Sequence, residues 1–312
     1  MPMNIPLRLL LGLLLLAPCA AAQEPFRLPE IPAALTAPAD RADYLVARYW
    51  DRADLTDPAF VESSRFEQAF VDYLSVLPLA PQAAQALGEL FARDDLAPAT
   101  LTRLAELGDI YLDRPSSPLC DEALHILFLR AEAASPRLSP EERERARILL
   151  SLALLNRPGD EASDFAYADR DGRTRRLASL RAERVLLFFN DPECVDCRRA
   201  KAFLASSPVV RRWIAQGRLA LLSVCVEGDT PAWRGASVPE GWIDGCDAEG
   251  TLSEGTAYYL RSLPTLLLLD GARRVLLKDA TVEAVERALS EAGRPAAGAG
   301  QEPLTAPRYE QE

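Results

Sequence analysis

The chain has 312 residues, six cysteines and one histidine, with 35 Lys plus Arg against 46 Asp plus Glu and a formal net charge of −11. That length suits about two domains, and 49% hydrophobic with 26% charged residues is a globular composition, not a disordered one. An acidic chain without a basic run is a poor binder of nucleic acid or anionic membrane, and a lone His125 leaves no material for a His-rich metal centre, so the chemistry falls to cysteines or carboxylates.

In chain order, Met1–Ala22 reads as a secretory signal. Arg8 supplies the positive start, Leu9–Leu16 an apolar run broken by Gly12, and Ala20-Ala21-Ala22 the small-residue cleavage pattern. The run is shorter than the roughly 20 apolar residues a spanning helix needs. The expectation is export to the periplasm, where disulfides persist. Cys19 offers a rival reading, a lipid anchor, which would be the chain's one route to a membrane. Pro18 stands where such a signal wants a small residue. Residues 23–38 read as a linker.

Residues 39–158 read as an all-α domain. Phe66, Phe70, Tyr73, Leu74 and Leu77 fall on one helical face, as do Leu104, Leu107 and Tyr111. Ser139-Pro140-Glu141-Glu142 is a capping box with proline at the first helical position. Pro158-Gly159 stops that helix. Breaks near Pro78, Pro98, Pro115 and Pro136 predict about six helices.

From residue 160 to 292 the pattern changes to α/β. Phe165 and Tyr167 alternate with small or polar residues, and Asp171-Gly172 reads as a hairpin turn. Val185–Phe189, Leu219–Val226, Thr265–Leu269 and Val275–Lys278 read as strands, the first buried on both faces. Helices are predicted from Cys194 to about Ala205 and over Val282–Ala292. The sum is an α/β sandwich. Residues 293–312, rich in Gly, Pro and Ala, read as a disordered tail.

Cys194-Val195-Asp196-Cys197 is the strongest chemical signal. It follows a buried strand and opens a helix, where free backbone N–H groups and the dipole favour a thiolate. The spacing of three puts both sulfurs on one face, within bridging reach. Cys194 is the expected nucleophile and Cys197, one turn inside, the resolving thiol. Leu263-Pro264-Thr265 precedes a strand; a cis Pro264 there would set a backbone edge beside the sulfurs, though three residues do not fix the bond state. Two rival readings of the pair stay open, half of a zinc site and a purely structural disulfide. Cys225 and Cys246 lack the spacing that would complete a zinc site.

The run from Phe188 to Cys197, with Leu263-Pro264-Thr265 downstream, resembles exported thioredoxin-like proteins of the TlpA/ResA type. Asp164-Phe165 through Gly172 is similar to the hairpin ahead of the core in that group. Tyr49-Trp50-Asp51, Tyr111-Leu112 with Ser117-Pro118, and Asn156-Arg157-Pro158-Gly159-Asp160 resemble a helical domain of unknown function found ahead of thioredoxin-like domains. The resemblance spans about residues 39–292. It implies a thioredoxin-like fold after an all-α domain and a thiol-disulfide oxidoreductase. It also implies redox cysteines at Cys194 and Cys197, a cis Pro264, no cofactor and no metal. Protein disulfide clients and an upstream electron donor would be the partners.

The sequence departs from that pattern at the proton acceptor. Phe188 and Ala200 stand where relatives carry an acid, and Glu193 where many carry tryptophan. Glu193 and Asp196 are candidates for electrostatic tuning by proximity; the plainer reading is a pair of solvated charges at a helix start. Negative charge near Cys194 raises the cost of its thiolate, which leans the couple toward reduction or isomerisation. A second function class is a scaffold whose helical domain captures a partner and whose Cys194–Cys197 disulfide is stable. A third, heme or metal handling, is disfavoured by the single histidine. Cys225 reads as an inert core thiol, with a Cys225–Cys246 bridge as the alternative, and Cys120 as a helix-start or packing residue.

Overall fold

The computed structural model describes residues 27–293. The leader Met1–Ala22 with Cys19 and the tail 294–312 lie outside the described residues. Among the described residues, no helix is long and apolar enough to cross a membrane.

The N-terminal half is helical: α1 (Pro38–Arg48), α2 (Pro58–Val61), α3 (Ser64–Val76), α4 (Ala83–Ala92), α5 (Pro98–Gly108), α6 (Glu122–Ala134) and α7 (Pro140–Ala153). That is seven helices rather than about six, the extra one being the single turn α2. The breaks follow proline. Pro58, Pro98 and Pro140 each open a helix, where the missing N–H costs nothing. The capping box forms as read: Ser139 Oγ accepts from the Glu142 N–H at 3.1 Å, and Glu142 Oε2 accepts from the Ser139 N–H at 2.8 Å. The predicted stripe of α3 is buried throughout, with Phe70 against Phe128 edge to face. After α5 the chain widens into a π-helical turn, Asp109–Asp113. The turn offers two carboxylates to the buried His125, whose Nε2 is 2.9 Å from Asp109 and whose Nδ1 is 3.5 Å from Asp113.

The C-terminal half forms one seven-stranded sheet. Its elements are β1 (Ala166–Asp169), β2 (Thr174–Arg176), β3 (Arg184–Asn190), α8 (Val195–Ser206), α9 (Pro208–Ala215), β4 (Leu219–Cys225), α10 (Pro231–Gly235), β5 (Ile243–Asp247), β6 (Thr265–Asp270), β7 (Val275–Leu277) and α11 (Val282–Ala292). Strand order is β2-β1-β5-β4-β3-β6-β7; the β3–β4 and β4–β5 pairs are parallel and the other four pairs antiparallel. Three elements were not foreseen: α9, α10 and β5. α10 and β5 both fall in the stretch between the predicted strands Leu219–Val226 and Thr265–Leu269.

β3 shows why an unbroken apolar run makes a central strand. Its side chains alternate between faces. Leu186 and Phe188 enter the layer under α8, α9 and α11 with Trp213 and Leu289. Val185, Leu187 and Phe189 enter the opposite layer with Phe165 and Tyr258. Both faces are covered, so the five positions Val185–Phe189 are all apolar, and polar residues appear only at the two ends, Arg184 and Asn190.

The two halves meet through buried charge and backbone. Arg261, its side chain 8% exposed, donates to the Asp113 carbonyl and carboxylate at 3.1 Å each and to Asp279 at 2.6 Å. Tyr259 donates to Asp113 at 3.0 Å. Lys278 donates to Glu122 at 2.6 Å and to the carbonyls of Leu155 and Ala153 at 2.8 and 3.3 Å. Asn156, in the left-handed conformation its side chain tolerates, bonds the Ala257 carbonyl at 2.8 Å. Losing one partner of such a pair would strand the other charge, at a cost of about 3–5 kcal/mol.

Candidate functional site

The site forms where β3 ends. Asp191 turns the chain: its carboxylate accepts from the Glu193 N–H at 2.9 Å and its carbonyl from the Cys194 N–H at 3.1 Å. Arg198 reaches back to the Pro192 and Glu193 carbonyls at 3.0 and 2.7 Å and pins the turn. Cys194 is the N-cap of α8, and its Sγ accepts from the Cys197 N–H at 3.1 Å. Sulfur thus takes the role an N-cap oxygen usually plays, and the N–H groups of the first turn stabilise negative charge there.

The two thiols differ in environment. Cys194 is half-buried and Cys197 is 2% exposed. Burial pushes the Cys197 thiol well above its ordinary range; its bond with Cys194 and the charges of Cys194 and Asp191 add to this, while the Asp191 N–H opposes it. The Leu263–Pro264 bond is cis, and the Leu263 carbonyl lies 3.6 Å from Cys194 Sγ. Thr265, buried, donates its hydroxyl to the Ser262 carbonyl at 2.6 Å and begins β6. The fold therefore gathers Cys194, Cys197, Leu263, Pro264 and Thr265 at one edge.

Glu193 and Asp196 sit differently. Glu193 is exposed, and the Asp196 side chain, 71% exposed, pairs with Arg199 at 2.9 Å. The carboxylate whose charge raises the Cys197 thiol is Asp191, which the sequence reading passed over. An acid directly after the strand and three residues before Cys194 was the available signal. Asp191 and Cys197 also share a cavity of about 290 Å³ with Asn190, Lys201 and Ser237. Lys201 lies one turn beyond Cys197, donates to the Ser237 carbonyl at 2.6 Å, and is held below its ordinary range by burial.

Among the described residues, the other three cysteines, Cys120, Cys225 and Cys246, are free thiols. Cys225 and Cys246 are register partners on β4 and β5, buried with Trp233. Burial raises both thiols, Cys246 to about 11. Cys120 is half-buried just before the N-cap of α6, with the Arg261 guanidinium 3.8 Å from its sulfur. Among the described residues, no group of three or more His, Cys, Asp or Glu side chains is arranged to hold a metal ion.

Comparison with known proteins gives three kinds of match. Residues 16–156 match a domain of unknown function, DUF5106. The crystal structure of a thioredoxin-like protein from Bacteroides caccae is 35% identical, with a TM-score of 0.76, over 85% of this chain and 98% of that one. The C-terminal domain of an uncharacterized protein from Bacteroides fragilis is 36% identical over 43% of this chain and 98% of that one, with a TM-score of 0.42. The thioredoxin domain of a thiol-disulfide oxidoreductase from Bacteroides vulgatus is 16% identical over 44% of this chain and 99% of that one, with a TM-score of 0.38. No match was found among curated proteins.

Proposed function

The chain belongs to the thioredoxin-like proteins, with a DUF5106 domain ahead of the sheet, and we propose that it exchanges thiols and disulfides with client proteins through Cys194 and Cys197. One observation carries the reading. A half-exposed Cys194 caps a helix beside the cis-proline edge, and a buried Cys197 stands one turn behind it.

The chemistry balances without a cofactor. Cys194 thiolate attacks one sulfur of a client disulfide; that S–S bond breaks, and the departing client thiolate takes a proton from water. Cys197, on losing its proton, attacks Cys194 Sγ. The Cys194–Cys197 disulfide closes and the second client thiol leaves. Two electrons pass from the protein dithiol to the client, and an upstream dithiol protein restores them. With the leader Met1–Ala22 removed, this exchange would run outside the cytoplasm.

The direction we assign is reduction or isomerisation. The Asp191 charge and burial both disfavour the Cys197 thiolate. A dithiol whose thiolate is poorly stabilised forms the more reducing couple. A measured potential as high as about −120 mV, the range of strong oxidants, would overturn that assignment. Insulin reduction tests the activity itself. Wild type should be active, Cys194→Ser inactive, and Cys197→Ser should hold clients as mixed disulfides that mass spectrometry identifies. An inactive wild type with a reduction-resistant disulfide would instead mark the domain as a scaffold.

A further inference from the structure

A second cavity, of about 310 Å³, flanks the cis-proline edge on the side away from Lys201. Its lining includes Asp196 and Ala200 of α8, Arg261 and Pro264 ahead of β6, and Asp279 and Glu283 about the start of α11. Pro115, which belongs to the helical domain, also lines it. The joint puts it there. Asp113, two residues earlier, grips Arg261 and Tyr259, and the Asp121 N–H returns the loop to the Leu112 carbonyl at 3.0 Å.

The charge of this groove is one-sided. Its single lining cation, Arg261, is already engaged by Asp113 and Asp279. Of the three lining carboxylates, Asp279 is one that holds Arg261 and Asp196 pairs with the exposed Arg199, which leaves Glu283 outside any ion pair among the described residues and the lining with three acids against one cation. Arg114 precedes Pro115 but does not line the groove. The helical domain adds to the same field, with 20 Asp and Glu against 13 Arg over residues 39–158.

We propose that the helical domain and the cis-proline edge together form the client groove, and that this groove takes an extended polypeptide segment carrying lysine or arginine near its disulfide-bonded cysteine. The proposal rests on the thiol-exchange reading above and adds to it a client chemistry and a task for the helical domain. In an extended segment, side chains two apart lie on one face about 7 Å from each other. A basic residue two positions from the attacked cysteine therefore shares the face of its sulfur, and the groove beside the cis-proline edge offers it Glu283. Charges at such a rim act mainly on the association rate and are screened by salt.

The test uses the mature chain and two short peptides, each a disulfide-linked dimer, with lysine or glutamate two residues from the cysteine. Second-order reduction rates are compared at low salt. The lysine peptide should react about tenfold faster, and the preference should shrink as salt rises. Glu283→Lys should reverse it. Pro115→Lys, on the other domain, should cut it severalfold, with melting curves confirming that each variant folds. Equal rates, or a preference for glutamate, would overturn the proposal while leaving thiol exchange intact. A Pro115→Lys variant that folds and keeps the full preference would remove the helical domain from the groove. No reduction of either peptide would sink the exchange reading, and this one with it.

Discussion

Cys194 and Cys197 bracket the first turn of α8, while Cys225 and Cys246 face each other across β4 and β5. Both pairs are close, and both lie in one domain. The first has a half-exposed member, a helix-start N–H donated to its sulfur and the cis-proline edge at Pro264 beside it. The second has none of these. Its thiols are 1% exposed, and Trp233 covers them, its ring held between the Arg170 and Arg234 guanidinium groups at 5.0 and 4.9 Å. The contrast teaches that proximity of sulfurs is a weak guide to reactivity; access and a stabilised thiolate decide it.

The comparison can be broken in several ways. The largest effect should come from Cys194→Ser, which removes the sulfur proposed to attack; insulin reduction should fall at least about 1,000-fold. Trp233→Ala should cost about 3–5 kcal/mol, read by denaturant melts, because a large buried ring leaves a cavity. It should also let a maleimide reach Cys225 and Cys246 in the folded protein, where wild type protects them. If wild type labels both at the rate of Cys194, the contrast between the pairs is wrong.

Asp191 sharpens the comparison, because its charge raises both Cys197 and Cys225. In Asp191→Asn that repulsion is gone, so each thiolate should appear at lower pH. Trapping the mixed disulfide and following its resolution against pH gives the sign. The rate should rise with pH as Cys197 ionises, and the profile should move to lower pH in the variant. A slower resolution at every pH would instead assign Asp191 a proton-accepting role. The smallest effect is expected of Cys225→Ala. Activity should stay within about twofold, and stability should fall by about 1 kcal/mol for one buried sulfur.

How far the sequence carried these conclusions differs from element to element. β3 was legible because both faces are covered and apolar side chains had to be continuous. The α7 start was legible because the capping box is local. β5 was not: Ile243–Asp247 holds Asp244 and Gly245, and no apolar run marks it. Gly245 is needed there, since a Cβ would stand 2.5 Å from the Tyr167 ring of the adjacent strand β1. That requirement belongs to the pairing of β1 with β5, which are remote in sequence. The same limit hid the joint. Asp113 and Arg261 are 148 residues apart with no local signal to link them, and only the fold brings them together near the cis-proline edge. At the site, the cysteines and proline were plain in the sequence, while the reach of Asp191 depends on a turn that spacing alone does not fix.

The Lys278 clamp has a consequence for chemical labelling. The chain holds two lysines, Lys201 and Lys278; every other basic side chain apart from His125 is arginine, which acylating reagents ignore. Lys278 is 6% exposed and spends its three N–H bonds on Glu122, Ala153 and Leu155 of the helical domain. An amine-acylating reagent therefore acquires a specific meaning in this protein. Modification of Lys278 records each parting of the helical domain from the sheet, and Lys201 in the cavity beside Cys197 serves as the internal standard on the same chain.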